Sequence, residues 1–128
     1  MTDKIYQEEI LEHFKQPKNK KTIDNPDFSS GKYNPSCGDS IAITGKITND
    51  TITELGFNGS GCVISQATAS MLTQLCVGKT PQEVLALGKE DIQAMLGMQL
   101  GPTRIKCAIL SLQALQDGLS KQLEQSKK

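Results

Sequence analysis

The sequence predicts an α+β fold in which a small antiparallel β-sheet packs against several α-helices. Alternating apolar residues, which are typical of strands, are confined to residues 41–57, whereas apolar residues at helical spacing come before and after that stretch. Strands that are grouped together and followed by a run of helices favour α+β over an alternating α/β arrangement. At 128 residues, the chain is expected to form one domain over residues 1–128.

The first predicted element is a helix that ends before Pro17. Tyr6, Ile10 and Phe14 recur every four residues and give this segment one apolar face. Residues 15–36 are polar and contain three of the five prolines of the chain. We therefore expect residues 15–36 to form a long surface connection.

Two strands are predicted next, joined at the Asn49-Asp50 turn. The first strand is indicated by three isoleucines that share one face: Ile41, Ile43 and Ile47. The second strand is predicted over residues 51–57. Its apolar residues Ile52 and Leu55 have opposite parity, so a bulge is expected between them.

The remaining chain predicts four helices. The first follows Gly61 and stops at Gly78, and the second begins with Thr80-Pro81-Gln82-Glu83, a complete capping box with proline at the first helical position. A short helix is predicted over residues 90–96, and a long one runs from Pro102 to about Gln122. The apolar stripe of the last helix consists of Ile105, Ala108, Ile109, Leu112, Leu115 and Leu119.

Charge and hydropathy exclude several functional classes. The chain has 14 basic and 14 acidic side chains, so its net charge is zero, which argues against nucleic-acid or membrane-surface partners. A basic cluster is interpreted as a solvated face: Lys15, Lys18, Lys20 and Lys21. No apolar run approaches the roughly 20 residues of a membrane span, and the N-terminal residues lack a signal-peptide core. We expect a cytoplasmic protein whose thiols stay reduced.

Three of the four cysteines lie beside glycines or a helix start, and these three carry the chemistry. Cys37, Cys62 and Cys107 are expected to be exposed on such positions, and Asp39 follows Cys37 by two residues. Three thiolates and one carboxylate can bind one metal ion tetrahedrally, and the same thiols can hold an iron–sulfur cluster or carry sulfur. Three small core residues are the alternative interpretation.

The positions of these cysteines lead to separate expectations. Cys62 lies at a predicted strand-to-helix junction, where free amides and the helix dipole favour the thiolate. Cys107 lies in the first turns of the last helix and points about 145° away from its apolar stripe, so it is predicted to face solvent. Cys76 has no glycine before it and is predicted to be a buried packing residue. His13, the only histidine, is interpreted as a solvated surface residue.

The cysteine motifs resemble those of the U-type iron–sulfur assembly proteins, the family of IscU, SufU and the NifU N-terminal domain. Residues 34–39 match the family pattern N-P-x-C-G-D, and residues 59–65 match G-x-G-C-x-I-S, followed by Ala69-Ser70. Residues 104–108 are similar to its third cysteine motif. The resemblance spans about residues 3–120, in order.

The resemblance implies an IscU/SufU-like α+β fold and a protein that accepts persulfide sulfur from a cysteine desulfurase. It implies that a zinc ion or a nascent [2Fe–2S] cluster is bound for transfer to downstream apoproteins or carriers. The implied ligands are Cys37, Asp39, Cys62 and Cys107. Cys37 and Cys107 are the candidate sulfur acceptors, and the protein is a scaffold or sulfur carrier rather than an enzyme.

Two branches of the family remain possible. Lys106 stands where the IscU branch has histidine, which favours the SufU branch, but there is no room between Gly88 and Pro102 for the insertion that SufU proteins carry. A zinc-dependent SufU-type sulfur relay without cluster scaffolding is therefore the alternative. A purely structural zinc module is a third possibility. The stretch Leu100–Arg104 differs from the L-P-P-V-K segment that a dedicated Hsp70-type chaperone recognises, so this partner is not expected.

Overall fold

A computed structural model describes residues 2–36 and 38–126 of the chain. Helices and strands follow one another in the order α1 (Thr2–Lys15), β1 (Phe28–Asn34), β2 (Asp39–Thr48), β3 (Thr51–Ser60), α2 (Val63–Cys76), α3 (Pro81–Leu85), α4 (Lys89–Leu96) and α5 (Pro102–Ser126). Helices α2 and α5 pack on one face of the sheet, and α1 packs against α2. The predicted α+β fold, a small antiparallel sheet packed against helices, is confirmed.

The three strands form an antiparallel sheet in the order β1-β2-β3. Asn49 and Asp50 join β2 to β3 with φ angles of 51° and 62°, as a tight hairpin turn requires. The register shifts between Lys46 and Ile47, so β3 has an additional residue at this point. This irregularity is the predicted bulge, and it lets Ile52 and Leu55 both face the core.

The prediction of an unbroken connection over residues 15–36 is wrong, because β1 lies within it. Phe28 is the only buried side chain of β1, so the strand lacks the apolar alternation that identifies strands in a sequence. Phe28 lies opposite Gly45, where a side chain would collide with the phenyl ring. Pairing with β2 and packing of α5 fix this edge strand, and Lys32 Nζ lies 2.7 Å from Asp117 Oδ2 of α5.

Helix α1 ends before Pro17 as predicted, but its inward face differs from the predicted stripe. Ile10 is buried, whereas Phe14 is 40% exposed. The Tyr6 side chain lies outside the described part of the structure. The interpretation of His13 as a solvated surface residue is wrong, because it is half-buried and its Nδ1 lies 2.7 Å from Ser70 Oγ of α2.

The later helices begin and end close to their predicted bounds. Thr80 Oγ1 accepts the Glu83 N–H at 3.2 Å and Glu83 Oε1 accepts the Thr80 N–H at 3.0 Å, so the predicted capping box at α3 is confirmed. Gly78 has a φ of +98° just beyond α2, as expected for a helix stop. Within the described ranges, no helix combines the length and the apolar character needed to cross a membrane.

Helix α5 is buried over a wider arc than its apolar stripe predicts. It contacts helices α2, α3 and α4 as well as strands β1 and β2. Gly118 lies against the sheet, since a side chain at this position would lie 2.9 Å from the Phe28 ring, and three further small buried residues share its face of the helix. This second stripe, at helical spacing, consists of Cys107, Ser111, Ala114 and Gly118.

Candidate metal centre

One end of the β2–β3 hairpin brings two predicted ligands together. Asp39 is the first residue of β2, and Cys62 follows the end of β3 by two residues. Because the strands are antiparallel and Ser40 pairs with Ser60, the start of β2 and the end of β3 lie side by side. The topology therefore places a carboxylate and a thiol from distant parts of the sequence at one end of the sheet.

The Asp39 carboxylate is fully buried and held by the backbone that follows β3. Its Oδ1 accepts the Cys62 N–H at 2.8 Å, and its Oδ2 lies 3.8 Å from Cys62 Sγ. Gly61 has a φ of +153°, and a side chain there would collide with Asp39 Oδ1. Glycine is needed at position 61 both for its backbone conformation and for the approach of the carboxylate.

Cys62 is the N-cap residue of α2 and is exposed, as predicted. Its backbone is extended, and its Sγ accepts the Ser65 N–H at 3.5 Å in the place where serine or aspartate usually caps a helix. The Ser65 hydroxyl donates to the Cys62 carbonyl at 3.1 Å. The Cys62 sulfur therefore lies at the N-terminus of α2, against the Ser65 amide.

The prediction that Cys107 is exposed is wrong, because its side chain is only 3% exposed. Cys107 lies in the second turn of α5, and its Sγ lies 3.6 Å from the Thr103 carbonyl oxygen. Helix α5 contacts helices and also strands β1 and β2, so it is buried beyond the apolar stripe used for the prediction. Cys107 belongs to the stripe of small buried residues on this helix.

Burial does not remove Cys107 from the site. The ligand atoms of Asp39, Cys62 and Cys107 all lie within 4.8 Å of one another. A cavity of about 360 Å³ opens in front of the two thiols. It is lined by Cys62, Val63, Ile64, Thr103, Arg104 and Cys107.

The donor set and its spacing fit a small tetrahedral ion. Two ligand atoms on one tetrahedral zinc ion lie about 3.6 Å apart for a sulfur–oxygen pair and about 3.8 Å for a sulfur–sulfur pair, as follows from bond lengths near 2.3 and 2.1 Å. The Asp39 Oδ2 to Cys62 Sγ distance is 3.8 Å. Two sulfurs and one carboxylate oxygen provide three of the four positions that zinc requires, and they also suit an iron–sulfur cluster.

Cys37, the fourth predicted ligand, lies outside the described residues. The residues on both sides of it are described. Ser36 N–H donates to Asn34 Oδ1 at 3.1 Å, and Gly38 N–H donates to the Asn34 carbonyl at 2.9 Å. Gly38 has a φ of +70° and directly precedes the buried Asp39. Cys37 therefore stays a predicted ligand, on its sequence position alone.

Cys76 occupies the opposite end of α2 and is fully buried, as predicted. Burial raises the pKa of the Cys76 thiol from 9.0 to about 11, and the Lys79 ammonium opposes this with a smaller effect. A neutral thiol in an apolar environment acts as a small hydrophobic residue. Cys76 is not part of the cluster of ligand atoms formed by Asp39, Cys62 and Cys107 among the described residues.

Sequence reasoning did not assign a role to Ser65, although its contacts hold Cys62. The residue was recognised only as part of the motif of residues 59–65. The available signal was its position three residues after an N-cap, where a side chain commonly turns back toward the cap. The contact between the Cys62 amide and Asp39 was also unpredictable, because it depends on strand register.

A family model and several known proteins are similar to this chain over most of its length. The NifU-like N terminal domain family model matches residues 5–128. The zinc-dependent sulfurtransferase SufU of Bacillus subtilis is 38% identical over 137 aligned positions, which cover 94% of this chain and 92% of that protein. The iron-sulfur cluster assembly scaffold protein IscU of Streptococcus pyogenes is 31% identical, covering 91% and 84%.

Solved structures are also similar. A crystal structure of a putative iron-sulfur cluster assembly scaffold protein for the SUF system, from Fervidobacterium islandicum, has a TM-score of 0.74 at 29% identity and covers 91% of this chain and 97% of that one. A NifU-like N-terminal protein from Brucella abortus has a TM-score of 0.75 at 21% identity, covers 96% of each chain, and supports the fold alone.

Proposed function

Since the chain belongs to the NifU-like N-terminal domain family, we propose that it is an iron–sulfur cluster assembly protein that accepts persulfide sulfur from a cysteine desulfurase. It holds a zinc ion or a nascent [2Fe–2S] cluster and passes sulfur or cluster to downstream apoproteins or carriers. The proposed ligands are Cys37, Asp39, Cys62 and Cys107. The observation that carries this proposal is the convergence of three ligand atoms within 4.8 Å. The names of the SufU and IscU relatives support it.

The proposed ligands have distinct chemical roles. Thiolates are soft ligands that suit zinc and iron–sulfur clusters, whereas the Asp39 oxygen is a harder and weaker partner for iron. One weak ligand suits a cluster that must leave again. When bound, zinc would hold the thiolates in a closed four-ligand site, so sulfur acceptance would need one of them to be released.

Sulfur transfer itself is a thiol–disulfide type of exchange. A thiolate of this chain attacks the outer sulfur of the desulfurase persulfide, the sulfur–sulfur bond of the persulfide breaks, and the desulfurase cysteine leaves as a thiolate. The new persulfide carries the transferred sulfur, with no net oxidation. Cys37 and Cys107 are the proposed acceptors. Arg104, on the rim of the cavity beside Cys107, would stabilise the anionic persulfide.

A zinc-dependent sulfur relay without cluster scaffolding is the second candidate. Lys106 directly before Cys107 favours it, and so does the 38% identity to a protein named as a zinc-dependent sulfurtransferase. Addition of ferrous iron and a chemical reductant, which supplies the remaining electrons needed to convert persulfide sulfur to sulfide, to the persulfide-loaded protein under argon separates the two. A scaffold develops the visible absorption of a [2Fe–2S] cluster, whereas a relay passes its sulfur on without such a species.

Reaction with a cysteine desulfurase and cysteine tests the proposal. After a brief reaction, with and without zinc, peptide-level mass spectrometry should find one added sulfur on Cys37 or Cys107. A Cys76→Ser variant serves as the matched control and should gain sulfur normally. If no sulfur is added while zinc is needed for folding, the domain is a structural zinc module instead. Sulfur first found on Cys62 or Cys76 would contradict the proposed acceptor assignment.

A further inference from the structure

Ser65 holds Cys62 at two points. It lies in the first turn of α2 and is 1% exposed. Its N–H donates to Cys62 Sγ at 3.5 Å, and its hydroxyl donates to the Cys62 carbonyl at 3.1 Å. That carbonyl also accepts the Gln66 N–H at 3.2 Å, so the hydroxyl is an additional donor beyond the helix itself. The side chain and the backbone of Cys62 are therefore both fixed by one serine.

Cys62 in turn fixes the carboxylate of Asp39. The Cys62 N–H donates to Asp39 Oδ1 at 2.8 Å, which leaves Oδ2 facing Cys62 Sγ. Gly61 closes the arrangement, because a side chain at this position would collide with Asp39 Oδ1 and would lie 2.8 Å from Ser65 Oγ. The serine hydroxyl, the cysteine backbone and the carboxylate thus form one packed chain of contacts.

We propose that Ser65 is a positioning residue that assembles the Asp39–Cys62 half of the metal site before a metal ion arrives. It acts through Cys62, which it holds in the extended N-cap conformation, and through the Cys62 amide, which orients Asp39. The two ligand atoms are then 3.8 Å apart, close to the roughly 3.6 Å that a sulfur and an oxygen on one tetrahedral ion require. This inference rests on the proposed function, in which Asp39 and Cys62 are ligands.

Preorganisation explains why a buried serine would affect an ion that it does not touch. Ligands that already have their bound arrangement lose little conformational freedom when the ion binds. Hydrogen bonds to the ligands, rather than to the metal, commonly change metal affinity ten- to a hundredfold. Ser65→Ala removes the hydroxyl and leaves the N–H to Cys62 Sγ in place, so we expect an effect near the lower end, about tenfold.

The test compares zinc affinity in three proteins by competition with a chromophoric chelator. Ser65→Ala should raise the zinc Kd about tenfold relative to the unmodified chain. Ser70→Ala is the matched control, because Ser70 is a fully buried serine on the same helix and lies about 12 Å along it from Cys62. The zinc Kd of Ser70→Ala should stay within about twofold of the unmodified value, because distant sites seldom couple. The thermal midpoint of this variant should nevertheless fall.

A second measurement, on the zinc-free proteins, gives a readout that does not depend on metal binding, and its value for the unmodified chain does not depend on how well the variants fold. Hydrogen exchange by NMR should find the Cys62 amide protected before zinc is added, and less protected in Ser65→Ala. An unprotected Cys62 amide, or equal losses of zinc affinity in Ser65→Ala and Ser70→Ala, would overturn the positioning role. If the unmodified chain binds no zinc or iron while its Cys62 amide is protected, the proposed function fails instead.

Discussion

The two ends of helix α2 each carry a cysteine, and the surroundings of these thiols differ. At the N-terminal end, Cys62 is exposed, caps the helix, and lies near the buried carboxylate of Asp39 and the thiol of Cys107. At the C-terminal end, Cys76 is fully buried among apolar side chains and its thiol is held in the neutral form. Cys107 is buried as deeply as a packing residue, yet its sulfur lies close to the donor atoms of Asp39 and Cys62. Neighbouring donor atoms, rather than exposure, separate the proposed ligand cysteines from the core cysteine.

The largest expected effect is the difference in zinc affinity between serine variants of the proposed ligands and Cys76→Ser. Replacing Cys37, Cys62 or Cys107 removes a proposed ligand, so the zinc Kd should rise by more than about a hundredfold, beyond what changes outside the ligand shell produce. Cys76→Ser should bind zinc at about one ion per chain, like the unmodified protein. Chelator competition measures each variant. An equal loss of affinity in Cys76→Ser would break the distinction between the two ends.

Alkylation should show the same distinction in the metal-free protein. The pKa of Cys76 is raised by burial to about 11, two units above its ordinary value, so its thiolate population near neutral pH is about a hundredfold lower. Iodoacetamide should modify the exposed Cys62 in the folded chain and reach Cys76 only after unfolding. Peptide mass spectrometry in buffer and in concentrated guanidinium measures both sites. Rapid modification of Cys76 in the folded protein would contradict this prediction and would show that the C-terminal end of α2 opens.

Stability at high pH should report on the burial of the Cys76 thiol. The folded-state pKa of this thiol is raised, so its contribution to stability is complete below pH 9 and is lost as the pH rises toward 11. The unfolded chain binds fewer protons in that window, and the free energy of unfolding should fall by about 2–3 kcal/mol. Urea titrations at several pH values measure this loss. Cys76→Ala should lack it, and an identical slope would contradict the assignment.

The smallest effect is expected at Asp39. Its substitution compares the oxygen ligand with the thiolate ligands of the same site. Asp39→Ala removes a weak oxygen ligand without touching a thiolate, so a bound cluster should survive longer in air and transfer more slowly, by a few-fold. Asp39→Asn is the matched variant, because its side-chain oxygen still accepts the Cys62 N–H. Visible absorption during transfer to an apoprotein acceptor measures both. Faster cluster loss in Asp39→Ala alone would make Asp39 a stabilising ligand rather than a release device.

Most of the fold could be predicted from local patterns. The capping box at Thr80, the Asn49-Asp50 turn and the bulge between Ile52 and Leu55 are all specified by a few neighbouring residues. Strand β1 could not be predicted, because its only buried side chain is Phe28 and its pairing with β2 supplies the rest. Tertiary contacts of this kind leave no periodic signal in the sequence.

The candidate site was predictable in composition but not in detail. Glycine-rich motifs and the position of Cys62 at a helix start indicated which residue types would meet. The burial of Cys107 was missed, since a helix packed on two sides buries more than its apolar stripe, and small residues such as Gly118 mark the second side. His13 was missed for a similar reason, because its partner Ser70 is 57 residues away in the sequence.

X-ray absorption at the zinc K-edge of the zinc-loaded chain tests the central claim most directly, since it reads the atoms around the ion. Three sulfurs at about 2.3 Å and one oxygen at about 2.0–2.2 Å are predicted, from Cys37, Cys62, Cys107 and Asp39. The same spectrum should be obtained from Cys76→Ser. A shell of four sulfurs, or one of nitrogen and oxygen atoms alone, would contradict a single site built by these four residues.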